Sequence, residues 1–343
     1  MAGCDQGQQD DQVTAGPPVH VASSNICPGQ APIAVNGRIE VAFDRFLLPY
    51  CVTRQTFFLK DKSGNEVASL TGGVYQVAYD PVDRIVTILN AQLADGQAYE
   101  LDINTPASPS DPNGLRAIDG ATLAPAAPVT CAPSLTKAAL TFVAMASAAP
   151  PATPPAVDFC KDIMPIFVGK CLTGACHGPG PPPSGRAQGL LLDTAADVAS
   201  TAVGLVAHEA NTGARAAPEP PGRIFGVDMP IVDPGSGAPT SGDPGNSWLL
   251  YKMLMAVPSA ASAADAGSNG PSFHSIVAQP LSDAERAALS NLIPGREMPY
   301  PTLVGAPLSQ NSLALSLDDL HRVSQWIAQS RPVGTPLVPS ACP

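Results

Sequence analysis

About midway along this chain the rhythm of its apolar residues changes, and one layer of secondary structure cannot satisfy both rhythms. Up to residue 145, short segments alternate apolar and polar with period two: 38–43 (RIEVAF), 73–79 (GVYQVAY), 84–89 (RIVTIL), 98–103 (AYELDI) and 138–143 (AALTFV). From 158 onward the recurrence is helical. Phe159, Ile163, Ile166 and Phe167 fall on one helix face. Between the two lies an Ala/Pro segment, 146–157, whose prolines make it a semi-stiff linker. A chain of 343 residues is also long for a single core. The expectation is two domains: an all-β sandwich over 27–145, and a mainly α domain over 158–332 with long Pro/Gly loops. A polar tether, 1–26, precedes them and a short tail, 333–343, follows.

Local punctuation supports both halves. Turn signals at 62–65 (KSGN), 80–83 (DPVD) and 95–96 (DG) separate the expected strands. In the second half, Thr194 with Asp197, Ser282 with Glu285 and Ser316 with Asp319 have the spacing of helix N-caps. The third is followed by Leu320, Val323, Trp326 and Ile327. A further helix is expected after the Pro244-Gly245 turn, over 247–254 (SWLLYKML). The 39 prolines and 30 glycines place long loops between helices, notably at 178–188, 212–246 and 258–272.

The formal net charge of −11 disfavours nucleic acid as a partner, because a phosphate backbone would be repelled. No apolar run approaches the roughly 18 residues needed to span a bilayer. The first residues read Met-Ala-Gly-Cys4, and Ala-Gly-Cys resembles the end of a bacterial lipobox. That resemblance implies a lipoprotein, periplasmic or at the cell surface, anchored to the inner or outer membrane through lipid on Cys4. Eight cysteines agree with an oxidising compartment, though their number fixes no pairing. The expected disulfides are a bridge among Cys27, Cys51 and Cys131 and a Cys160–Cys342 clasp.

The phrases VAFDRFLLP, FFLKDKSGNEV, LADGQAYELDI and ALTFVA resemble the bacterial Ig-like domains of surface proteins. The resemblance covers about 110 residues and implies a spacer or docking module, since these residues carry no catalytic constellation.

The sharpest chemical signal is Cys171-Leu-Thr-Gly-Ala-Cys176-His177-Gly178 at the expected end of the first helix of the second half. Covalent haem attachment uses Cys-x-x-Cys-His, in which two thiols take up the vinyl groups and the next imidazole ligates iron. Here the spacer has four residues instead of two. The surrounding phrases, DFCKDIMPIFVGKC, GLLLD at 189–193, DPGNSWLLYKML at 243–254 and REMPYP at 296–301 with LDDLHRVSQWI, resemble in order the c-type cytochrome domains of loop-rich bacterial secreted proteins. That resemblance spans about 158–330. It implies one covalent haem c on Cys171 and Cys176, with His177 as proximal ligand and Met298 as sixth ligand. Pro294, Pro299 and Pro301 would stiffen the methionine loop.

Other readings of the same residues stay open. Cys171–Cys176 could be a structural disulfide; zinc would lack a second Cys/His pair. Met229 is the alternative methionine, and His208 or His274 would give bis-histidine ligation. His321 lies on the polar side of its helix, and Trp326 is expected near the ring or as core filler. A closed His/Met iron has no vacant position for substrate, so an electron carrier working with a redox partner protein is expected rather than an enzyme. The contrasting expectation is a haem-free cell-surface binding or structural protein with a cytochrome-like fold.

Overall fold

The structure is a computed structural model. It describes residues 16–27, 30–70, 72–107, 114–124, 138–149, 154–172, 177–178, 189–207, 229–235, 241–256, 274, 276, 289, 292–293, 298–299 and 315–343. Eight strands form two four-stranded sheets. They are β1 (Val21–Ser24), β2 (Ile33–Ala34), β3 (Ile39–Phe43), β4 (Phe57–Asp61), β5 (Gln76–Asp80), β6 (Ile85–Leu89), β7 (Ala98–Ile103) and β8 (Ala138–Met145). One sheet has the order β1-β3-β6-β5, the other β2-β8-β7-β4, and all neighbours are antiparallel except β2 with β8. The two sheets enclose a core that includes Val41, Phe43, Phe57, Leu59, Val86, Ile88, Leu101 and Ile103. Phe43 and Phe57 meet edge to face across it, with centroids 6.0 Å apart. The expected β-sandwich is therefore present.

All five strands read from period-two alternation are found, one with its expected ends and the others with ends shifted by up to three residues. Three more were not foreseen. β1 lies within the expected tether, which is corrected here: Val19 and Val21 are buried, while His20 points outward to Asp44. Two valines in a six-residue polar stretch were too weak a pattern to read as a strand. β4 and the two-residue β2 also escaped a strand assignment.

A finding with larger consequences concerns β3. Its alternation predicts one solvated face, yet all five residues are buried, Glu40 to 1% exposure. The outer face of this sheet is covered by the second half of the chain. There, four helices occur among the described residues. The first, α1, is a continuous helical segment over 159–171, α-helical at Met164–Ile166 and wider at either end. The others are α2 (Ala195–Thr201), α3 (Trp248–Leu254) and α4 (Leu317–Ala328). Helix content is modest, and a mainly α half is not what the described residues display.

The caps at Thr194 and Ser316 form as expected. Each side chain accepts the backbone N–H three residues on, and Ser316 with Asp319 makes the reciprocal capping box. The Ser282–Glu285 pair lies outside the described residues. The second core is built on Trp326, which packs against Phe159 at 5.3 Å and Phe167 at 6.3 Å. Phe46, Leu48, Cys51, Val82 and Ile118 of the sandwich join the same apolar cluster. The turn Pro244–Asn246 lies directly on β5, where a Cβ on Gly245 would come within 3.0 Å of the Tyr79 carbonyl oxygen. The tail expected over 333–343 is not loose: Leu337 and Val338 are buried, and Cys342 forms the disulfide with Cys160.

Candidate functional site

The Cys/His motif begins where α1 ends. Asp158 caps this helix by accepting the Lys161 N–H, and Phe159, Ile163, Ile166 and Phe167 bury its apolar face. Cys171 is its last residue and is buried in the second core. Cys176 lies outside the described residues. His177 follows, 5% exposed.

The orientation of this imidazole is defined by the segment 189–193. His177 Nδ1 is 3.2 Å from the Leu190 carbonyl, and the Leu192 N–H donates to the His177 carbonyl at 3.0 Å. A carbonyl can only accept, so Nδ1 carries the proton and Nε2 keeps its lone pair. Burial pushes the imidazole pKa below its ordinary value, which outweighs the opposing effect of the Leu190 contact. His177 is thus a neutral imidazole at pH 7 in the tautomer that ligates through Nε2. A backbone carbonyl behind a ligating histidine is the usual orienting device for a metal-bound imidazole. Leu190 and Leu191 are themselves fixed, since the Thr201 hydroxyl of α2 both accepts the Leu191 N–H and donates to the Leu191 carbonyl. The chemistry of this donor set, an ordered neutral imidazole just beyond a buried cysteine, fits haem attachment; haem c would supply a one-electron couple there.

Met298 is half-buried, and its N–H donates to the Lys252 carbonyl on α3 at 3.1 Å, which docks this residue on that helix. Met229, the alternative, is buried in the second core and its carbonyl accepts the Ala207 N–H. Its burial among apolar neighbours accounts for it as a packing residue. His208 lies outside the described residues. Trp326 is core, with its Nε1–H donating to the Leu337 carbonyl.

The other two histidines go elsewhere. His274 lies between Glu40 and Asp80, its Nδ1 3.6 Å from Glu40 Oε1 and its Nε2 3.1 Å from Asp80 Oδ2. His321, expected to be solvated, instead meets Asp83 Oδ1 at 2.9 Å. Burial alone would lower both imidazole pKa values. The adjoining carboxylates reverse that, raising His321 above its ordinary value and His274 to about 10. Sequence reasoning missed this group. Its only advance signal is a hairpin turn, Asp80-Pro-Val-Asp83, that places two acids on a sheet later covered by the second half.

Of the cysteines, Cys160–Cys342 pair as expected. Cys27 is also disulfide-bonded, to a partner outside the described residues. Cys51 is instead a buried thiol whose pKa burial raises to about 11. Cys4 and Cys131 lie outside the described residues.

Among the described residues no helix is long and apolar enough to cross a membrane. No family model matches the chain, and no curated protein does. Solved structures with partial likeness include the S-layer protein SbsC, a fragment over its residues 31–844, at 12% identity and a TM-score of 0.24, covering 41% of this chain and 15% of that one. Another, the N-terminal part of the bacterial S-layer protein SbsC, has 13% identity and a TM-score of 0.23, covering 43% and 27%. The chain therefore spans about one seventh of the longer S-layer chain, and likeness at this level establishes no family.

Proposed function

We propose that this chain is an extracytoplasmic electron-transfer protein with one covalent haem c, held by Cys171 and Cys176, with His177 and Met298 as axial ligands. The observation that carries this reading is His177 itself. It is buried, neutral, placed directly after a cysteine pair, and turned by the Leu190 carbonyl so that Nε2 is the available donor. A histidine serving only to pack has no need of that combination. Lipid on Cys4 would place the protein at the periplasmic or cell-surface side of a membrane, where a redox partner protein would exchange single electrons with it. The finer expectation, a cytochrome-like arrangement of the second half, belongs to the same proposal. It is supported by the order of α1, the segment at 189–193, α3, Met298 and α4 along the chain. The Ig-like resemblance of the first half assigns it the part of a spacer or docking module.

The test is expression of the full chain in a host competent for cytochrome maturation, followed by haem staining on a denaturing gel and intact mass. The expected result is one haem per polypeptide and sharp α and Soret bands on reduction. His177→Ala should lose the low-spin spectrum, and Met298→Ala should open the iron to azide or carbon monoxide. A colourless protein with the mass of its polypeptide plus any lipid would instead support a haem-free surface protein.

A further inference from the structure

We propose that Asp80, Asp83 and His274 form a binding site for a divalent first-row metal ion, such as Zn²⁺ or Mn²⁺, at the junction of the sandwich and the helical half. This site is separate from the haem motif and does not depend on it. One imidazole nitrogen and two carboxylate oxygens, one from each residue, lie within 4.8 Å of one another. Donors bound to a common ion at about 2.0–2.2 Å sit roughly 3–4 Å apart, so small movements suffice to close the set. Imidazole with carboxylate is the donor set of such ions, and the absence of thiolate in it disfavours copper(I).

What separates this group from an ordinary acidic cluster is the way each donor is held. Asp80 Oδ1 accepts the Val82 N–H and the Ser324 hydroxyl, both at 2.9 Å, which leaves Oδ2 facing His274 Nε2. Asp83 Oδ1 is taken by His321. Asp83 Oδ2 is fully buried and, among the described residues, has no hydrogen-bond partner, on a residue only 7% exposed. A buried carboxylate oxygen without a donor costs free energy that a cation would recover. Behind His274, Glu40 Oε1 lies 3.6 Å from Nδ1, so a small approach would complete the carboxylate–histidine–metal order that fixes the tautomer of a ligating imidazole. Asp80 and Asp83 thus each have one oxygen committed to a partner, which leaves the second oxygen of each as a candidate ligand. The partners come from β3, from the β5–β6 hairpin, from α4 and from the chain between α3 and α4, so a bound ion would fasten both halves together.

In the metal-free chain His274 is the cationic partner of Asp80, and an entering ion takes over that part as the imidazole proton leaves. The experiment uses the full chain, stripped with a chelator and titrated with zinc sulfate or manganese chloride, with bound metal counted by mass spectrometry of the elements. The expected result is one ion per chain and a thermal midpoint that rises with metal concentration. Asp83→Asn and His274→Gln should each weaken binding at least 100-fold while keeping the wild-type circular dichroism. Should either variant fail to fold, the zinc K-edge spectrum of the wild type decides, with only nitrogen and oxygen donors expected. Failure to retain stoichiometric metal, variants that bind like wild type, or sulfur in the zinc shell would each overturn the assignment.

Discussion

Asp243 shows how much can be set by one residue. It precedes the Pro244–Asn246 turn, and its carboxyl lies beside Asp233. Burial raises its pKa most, the Asp233 charge adds to that, and the N–H groups of Asn246 and Gly245 only partly oppose it, leaving a value of about 7. The unfolded chain titrates this group near pH 4. Folding therefore takes up a proton in the window between about pH 4 and 7. The stability this group contributes is complete below about pH 4 and is lost as pH rises through about 7. Asp243→Asn keeps the shape of the side chain and removes the charge. Urea denaturation should find the variant more stable than wild type by about 2 kcal/mol at pH 8 and equal to it at pH 4, the full linkage value being reduced because the side chain is partly exposed. Equal stability at pH 8 would show that the carboxylate is ionised in the fold without cost. The surrounding phrase DPGNSW was legible only as a resemblance. Its physical content is a polar knot: Ser247 Oγ donates to the Asp243 carbonyl and accepts the Asp233 N–H, while Asn246 Nδ2 donates to Asp233 Oδ2.

Among elements, the same turn has a second function, because it is the part of the helical half that rests on β5. At Gly245 an added Cβ would lie 2.8 Å from Tyr79 Cδ1 and 3.0 Å from the Tyr79 carbonyl oxygen, and a strand backbone cannot step aside. Gly245→Ala should therefore destabilise the protein by about 2–3 kcal/mol through overpacking. Gly169→Ala, in α1 with nothing near the new methyl group, should be neutral or stabilise by up to about 1 kcal/mol. Denaturation midpoints of the two variants make the comparison. This contact also explains what sequence periodicity could and could not disclose. Alternation correctly located β3, β5, β6, β7 and β8, since the inward side chains of a sandwich repeat every second residue. It could not reveal that Glu40, Thr87 and Asp80 would also be buried, because that depends on which later segment covers the outer face. Polar outward residues read as solvated until their partners, here His274, His321 and Ser324, are placed against them. His177 was legible from its neighbours in sequence, whereas its orienting carbonyl, 13 residues away, was not.

At the scale of the whole molecule, the described residues of the second half contain few helices, and one disulfide among them closes that half. Cys160 on α1 and Cys342, the penultimate residue, are 182 positions apart along the chain. The tail that brings Cys342 back also covers α4, where Trp326 donates to the Leu337 carbonyl and stands between Phe159 and Phe167. Reducing the disulfide releases a loop that includes almost the entire half, and the entropy regained by the unfolded chain corresponds to about 5 kcal/mol. Because both tryptophans, Trp248 and Trp326, lie in this half, their fluorescence reports its unfolding without a contribution from the sandwich. The Cys160→Ser, Cys342→Ser double variant should therefore show a tryptophan transition at markedly lower urea than wild type, by about 5 kcal/mol at equal slope. A change of only a few tenths would mean that the clasp ties down a tail the rest of the half does not need. A large change confined to the tryptophan signal, with the sandwich still folded by far-ultraviolet circular dichroism, would show that the two halves unfold separately despite their shared apolar contact.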